Sequence, residues 1–287
     1  YVFGEALTDT GFIVAQKQAD NQQIPLNIWC SNNAQSAFDA MKGWRKMGYE
    51  QATEKIENNY NIYTPLHFPT VRNSWKVLSK DNDRFLREME LRQQNGSLKT
   101  LSVVFKASQG ILKGNRDVFE LALEEYGQMP DNEKHFFRPL ASSKTIMPGY
   151  VMIKRYIWYP YSKDGLMIKT EDDFRQYPWS YQWLSPHKQT LLNRSENRNW
   201  WELTRARADR FEEKEPFLCS KRFGGAHSFA LAPAGCVVTE GNSYQFLKTD
   251  YWNEDVYFYL AFFSSSLFQR LLSIYARPLM SGYGLGN

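Results

Sequence analysis

Most of what would announce an enzyme, a secreted scaffold or a membrane protein is missing from this sequence. Cysteine is scarce, with three residues in 287. Cys30, Cys219 and Cys236 stand far apart and form no CxxC pair, which excludes a disulfide framework and a structural zinc site and makes a reducing cytoplasm the expected compartment. No long apolar run occurs. The most apolar stretch, residues 256–272, is interrupted by Ser264, Ser265, Ser266, Gln269 and Arg270, and the opening YVFGEALTDTGFIVAQK lacks the basic and apolar regions of a signal peptide. Neither a membrane span nor a secretory leader is expected. Charge of one sign does not dominate either. Thirty-five Lys and Arg stand against 31 Asp and Glu, a net +4, which excludes a histone-like polycation, so affinity for a polyanion requires local concentration of charge.

Catalytic signatures are absent too. There is no GxSxG, Walker A, HExxH or EF-hand loop, and His67, His135, His187 and His227 stand singly among aromatic or basic neighbours, as structural histidines do. Glu212-Glu213-Lys214 supplies the second half of a magnesium-nuclease signature, but Asp209 is too close in sequence to face it across a metal from a neighbouring strand. GYGLG at 282–286 has no preceding strand or following helix to make it a nucleotide loop. No repeat or low-complexity tract is visible.

What the chain does hold is 43% hydrophobic residues and 16% aromatics, with nine Trp and seventeen Tyr. That is enough for a substantial core, with rings left over for a binding surface. Two stretches concentrate chemistry suited to DNA. In SQGILKGNRDVF (108–119), Gly110 and Gly114 bracket a loop carrying Lys113, Asn115 and Arg116, and the glycines are expected to let the backbone approach DNA closely. In 200–231, Trp200 and Trp201 precede Arg205, Arg207 and Arg210, and Lys221-Arg222 is followed by the flexible pair Gly224-Gly225. Cationic forks and amides suit phosphates and base edges. The plainer alternative is that Glu202, Asp209, Glu212, Glu213 and Glu215 neutralise the arginines on a solvated helix face, with the tryptophans in the core.

Periodicity predicts an α+β fold with mostly antiparallel pairing. Residues 2–17 and 24–29 read as an edge hairpin too small to stand alone, and with no start methionine at Tyr1 the expectation is a fragment of a longer protein. One or two amphipathic helices are expected over 34–58, an extended stretch over 60–73 and a helix over 82–94 stopped by Asn95-Gly96. Strands are expected at 103–107, 118–121, 150–158, 165–169, 217–221, 228–231, 236–239 and 244–247. Helical spacing returns over 181–194 and 255–275, the latter with a stripe of Leu260, Phe263, Leu267, Leu271 and Ile274.

Several words, in order, resemble the TaqI-like C-terminal specificity domains of N6-adenine DNA methyltransferases, including fused restriction-modification enzymes. The first is the run from Gly110 through Asn115 to Phe119, in which Lys113 stands where the family usually has threonine and Arg116 where asparagine is common. Phe137-Arg138-Pro139-Leu140, the strand 156–161, Tyr177-Pro178 with Tyr181 and Leu184, and 191–194 follow. Then come Trp200-Trp201-Glu202-Leu203, 217–222, Phe229-Ala230-Leu231 and 259–268. The resemblance implies three parts. Residues 1–32 would be the last strands of a Rossmann-like methyltransferase domain, 33–100 a helical linker and 101–287 a DNA target recognition domain. The parent would flip an adenine out of duplex DNA and methylate its N6 from S-adenosylmethionine. The Pro-Pro motif that holds the adenine and the glycine loop that holds the cofactor do not occur here, so the chain itself is expected to bind no cofactor and methylate nothing. Its expected partners are double-stranded DNA and the upstream domain of the same polypeptide. Lys113, Asn115 and Arg116 are the first group of expected DNA contacts. Arg205, Arg207, Lys221 and Arg222 are the second, with at least two of them on phosphates. A carbohydrate- or protein-binding module using exposed aromatics is the rival.

Overall fold

The computed structural model describes residues 28–31, 42, 55–56, 60–63, 78, 80–115, 118–194, 198–211, 214–239, 243–251, 253–279 and 282–284. The chain divides into two compact units, Tyr1–Lys99 and Thr100–Asn287.

In the first unit, β1 (Ile28–Ser31), β2 (Lys55–Ile56) and β3 (Tyr60–Tyr63) form an antiparallel sheet in the order β1-β3-β2. Lys55 and Ile56, expected to be helical, are therefore strand, and the span 33–100 is not a purely helical linker. Ile56 is β-branched and lies opposite Asn61 in a register that β1 continues on the other side of β3. The first strand of the expected N-terminal hairpin lies outside the described residues. The helix expected over 82–94 is α1 (Lys80–Gln94), with Asp81 and Asp83 in its first turn and Arg92 in its last, as the macrodipole favours. Leu86 is buried on its inner face, and Gly96 ends it at φ +79°.

The second unit opens with α2 (Leu101–Val104) and β4 (Phe105–Gln109), followed by β5 (Glu120–Ala122), α3 (Leu123–Gln128), β6 (Phe137–Ala141), β7 (Ile146–Met147), β8 (Gly149–Val151) and β9 (Arg155–Trp158). Then come the hairpin β10 (Tyr161–Ser162) and β11 (Gly165–Leu166) and the short helices α4 (Glu171–Arg175), α5 (Pro178–Leu184) and α6 (Lys188–Leu192). The chain continues through β12 (Phe217–Lys221), β13 (Phe223–Gly224), β14 (Phe229–Ala232), β15 (Val237–Val238) and β16 (Ser243–Lys248) to α7 (Val256–Phe263), α8 (Ser266–Tyr275), β17 (Arg277–Leu279) and β18 (Gly282–Gly284). The fold is α+β. A six-stranded sheet runs β4-β16-β12-β14-β8-β7 and a four-stranded one β15-β6-β9-β5; among the described residues the parallel pairings are the β14–β8 and β15–β6 ladders and the isolated Ile111–Thr239 bridge.

Both faces of β12 and β14 are covered, which is why Phe217–Cys219 and Phe229–Ala232 are continuously apolar rather than alternating. Phe217, Cys219, Ala230 and Ala232 enter one cluster with Ile146 and Val151. Leu218 and Phe229 point the other way, into Phe105, Phe263 and Phe268. A third and larger cluster packs β5, β6 and β9 against the short helices around Phe119, Trp158, Phe174, Trp200 and Trp201.

Three expectations are corrected. Residues 150–158 are not one strand, because β8 and β9 belong to different sheets. The helical span 181–194 is cut by a 3-10 turn at Ser185–His187, where Pro186 cannot continue an α-helix. The helix over 255–275 breaks at Ser264, and Ser265 caps α8 by accepting from the Phe268 amide at 3.2 Å. That break resets the phase, burying Phe268, Leu272 and Ile274 and leaving Leu267 at the surface. β6 was hidden by its own Pro139. Strand β15 pairs only with Leu140 and Ala141, so the missing amide of Pro139 costs no ladder bond.

Candidate nucleic-acid interface

The loop after β4 is fixed by backbone pairing on two sides. The Ile111 amide donates to the Val238 carbonyl at 2.7 Å, while Leu112 and Arg205 exchange two bonds, amide to carbonyl, at 3.0 and 2.9 Å. The two cationic stretches, about ninety residues apart in sequence, are thus zipped together at Leu112–Arg205.

The glycines serve this closure. A Cβ on Gly110 would collide with the Val238 carbonyl oxygen, and one on Gly114, at φ +85°, would strike the Thr204 hydroxyl and crowd the Arg194 guanidinium. The loop needs them to approach its own neighbours. Arg194 holds the far side, donating to the carbonyls of Leu191, Glu202 and Trp200 at 2.9, 2.8 and 3.1 Å.

Residues 198–211 are not a helix. They form turns ending in a 3-10 turn at Ala208–Arg210, tied down from the core. The Tyr159 hydroxyl donates to the Ala206 carbonyl at 3.1 Å, and the Leu203 amide donates to the Tyr161 hydroxyl at 2.9 Å. Burial pushes both phenols well above their ordinary range, so both remain neutral donors and acceptors. The Trp201 indole donates to the Ile168 carbonyl at 3.0 Å and the Trp158 indole to the Trp201 carbonyl at 2.8 Å. Trp200 and Trp201 are buried. They are core, and no base or sugar can stack on them.

Each expected contact has a definite place. Arg205 is exposed and Lys221 half-exposed, and the side chains of both lack an ion-pair partner among the described residues. Arg207 is half-buried at φ 53°, ψ 46°, the one non-glycine residue at positive φ among the described residues, a strained conformation for a residue with a Cβ. Arg222 lies over the Phe223 ring, 5.3 Å from its centroid. Asn115 is half-buried beside Gly114, and Arg116 lies outside the described residues. Lys113 is committed to Glu120 in an ion pair, with Arg155 Nε also 3.7 Å from that carboxylate. Wholesale neutralisation by interleaved acids does not occur among the described residues. Asp209 pairs with Arg210 at 3.4 Å and Glu215 with Lys248 at 2.5 Å, leaving Arg205 to solvent. Glu212 and Glu213 lie outside the described residues.

Sheet register brings the second basic pair to the same edge. Gln109 lies opposite Tyr244, Tyr244 opposite Ser220, and Lys221 opposite Ser243. The end of β4, where the 110–115 loop departs, and the end of β12, where Lys221-Arg222 departs, are therefore two strand spacings apart, about 10 Å. Arg210 reinforces the edge. Its guanidinium bonds the Ser108 hydroxyl on β4, and its carbonyl accepts from Gln245 Nε2 on β16 at 3.0 Å. Beneath the loop a cavity of about 10 Å³, lined by Gly110, Ile111, Arg207 and Gln245, has room for no more than about one water.

The edge offers cations, amides and backbone but no catalytic constellation. Among the described residues no three His, Cys, Asp or Glu side chains gather to hold a metal, and no helix is long and apolar enough to cross a membrane. Cys219 and Cys236 are buried, and burial pushes the Cys236 thiol up to about 12, so neither is a nucleophile. GYG at 282–284 is strand β18, paired with β13 and β17. Glu120, Arg155, Arg194, Tyr159 and Tyr161 were not picked out from sequence as parts of this edge. Tyr159, Tyr161 and Arg194 had only the family words covering 156–161 and 191–194 as a signal, since the partners of all five lie from several to nearly fifty residues away.

No family model and no curated protein matches the sequence. Among solved structures, the type IIL restriction-modification enzyme MmeI in complex with DNA is similar at 12% identity and a TM-score of 0.42, over 63% of this chain. The chain spans 23% of the length of that enzyme.

Proposed function

We propose that residues 100–287 form a duplex-DNA reading domain, the target recognition part of a site-specific adenine-N6 methyltransferase of the restriction-modification type. The catalytic motifs and the S-adenosylmethionine site would lie in an upstream domain of the same polypeptide. The observation that carries this reading is the single edge on which the 110–115 loop, Arg205–Arg207 and Lys221-Arg222 converge through the Leu112–Arg205 bridge and the β4-β16-β12 register. Its strand separation of about 10 Å is commensurate with a major groove about 12 Å wide. The order of family words supports the choice of enzyme class.

Roles divide by commitment. Arg205 and Lys221, accessible and without ion partners among the described residues, suit phosphates, which position the duplex without reading it. Asn115, Arg116, Arg207 and Arg222 suit base edges, since amides pair with adenine and guanidinium forks with guanine, each correct contact discriminating by about 1–3 kcal/mol. Burial of Trp200 and Trp201 counts against the carbohydrate alternative, which needs such rings exposed.

Selection from a randomised duplex library, with the bound fraction sequenced, tests the reading. Enrichment of one short adenine-containing site is expected. Binding without enrichment at any salt would reduce the domain to a nonspecific DNA holder, and no binding at low salt would remove DNA from the account.

A further inference from the structure

We propose that Glu120 is a specificity-determining residue that withholds Lys113 from nonspecific DNA. The proposal rests on the DNA-reading function above and assigns to that surface a residue outside the cationic groups themselves.

Glu120 opens β5, and its carboxylate sits at the base of the 110–115 loop. One oxygen holds the Lys113 ammonium, and the other faces Arg155 Nε at 3.7 Å. Arg155 comes from β9, where it lies opposite Ala122, so both strands of the pair direct charge to this point. Exposure separates the three groups. The Lys113 and Glu120 side chains are 14% and 12% exposed, whereas Arg155 is 55% exposed. Arg155 is thus open to solvent, but Lys113 is held in a partly desolvated pair whose charges cannot be separated cheaply.

That arrangement is odd for a lysine that merely collects phosphates. A random duplex approaching this edge meets Arg205, Lys221 and Arg155 as accessible cations but finds Lys113 already neutralised. Lys113 can turn to DNA only where the duplex supplies an acceptor well enough placed to replace the carboxylate, a paired guanine O6 and N7 for example. Glu120 therefore removes one counterion-releasing contact from nonspecific binding while leaving it available to the correct sequence. Discrimination rises without any new attractive contact, because the wrong partner is disfavoured.

The test uses the full chain, a random-sequence duplex as probe, and fluorescence anisotropy over a salt series for wild type, E120Q, K113M and the double variant, with thermal melting of each. E120Q is expected to steepen the dependence of log K on log salt by about one unit, one phosphate contact's worth. K113M is expected to leave the wild-type slope unchanged, and the double variant to return to it. An unchanged slope in E120Q, or a slope reduced by about one unit in K113M alone, overturns the proposal. Should E120Q fail to fold, K113M decides, since a lysine already on phosphate must lose its contact there. If wild type fails to bind any duplex, the DNA-reading function fails and this proposal with it. Wild-type binding with an unresponsive E120Q sinks only the role of Glu120.

Discussion

Two short stretches of the same segment, Trp200-Trp201 and Arg205–Arg207, look alike as candidates for holding DNA but end on opposite sides of the boundary between core and surface. The tryptophans bury their rings against Phe174 and spend their indole N–H groups inside the protein, Trp201 on the Ile168 carbonyl and Trp200 on the Glu171 carboxylate. Four residues after Trp201, Arg205 contributes its backbone to the Leu112 bridge and its side chain to solvent. A large ring gains most from leaving water, and a guanidinium loses most, so adjacent residues separate whenever a turn allows it. The tryptophans therefore set where the arginines are, and the arginines set what the edge can hold.

The comparison breaks most visibly at Trp201. W201A is expected to cost about 3–5 kcal/mol, the range for truncating a buried tryptophan, read as a fall in melting temperature or denaturant midpoint. DNA affinity would be lost only through unfolding, so a stable W201A that binds DNA less well would move this ring to the interface. At the junction, G110A places a methyl against the Val238 carbonyl and is expected to cost about 1–3 kcal/mol by overpacking. In that variant the loop and the Arg205 segment part company, weakening DNA binding in protein that still folds. R205A is expected to change stability by less than about 0.5 kcal/mol. It should reduce the salt slope by about one unit on cognate and noncognate duplexes alike. A base-specific loss would make Arg205 a reader.

The smallest effect concerns the core side through acid. Lys188 beside Glu171 holds its carboxyl below the usual carboxylate range, helped by the Tyr181 hydroxyl and the Trp200 indole. A depressed folded value means that this stabilisation is complete above the ordinary carboxylate pKa and is lost as pH falls through the folded one. Melting curves between about pH 5 and about pH 3 should therefore show a shallower acid loss in E171Q than in wild type. The difference is expected to be small because Lys188 is partly exposed.

Much of this was legible in the sequence, and the misses share a cause. The α+β class, α1, and strands such as β12, β14 and β16 follow from local pattern, because two-sided burial writes Phe217–Cys219 and Phe229–Ala232 as apolar runs. β6 was invisible because Pro139 vetoes a strand locally and only the short reach of β15 excuses it. The start of α5 was equally hidden. The Glu133 carboxylate accepts from the amides of Trp179 and Ser180 at 3.1 and 2.7 Å, across some forty-six residues. At the edge, residue type picked out Arg205 and Lys221, which the fold leaves accessible. It could not show that Lys113 is bound to Glu120 or that Gly110 serves Val238, since both facts depend on which distant strand lies alongside.

Hydrogen–deuterium exchange of the chain with and without a duplex carrying the selected site decides whether the three segments meet DNA as one edge. Slower exchange is expected in 110–115, 204–207 and 220–225 together, with the amides of Trp200 and Trp201 unchanged. Protection confined to α7 and α8, or protection of one of these three segments without the others, would contradict it.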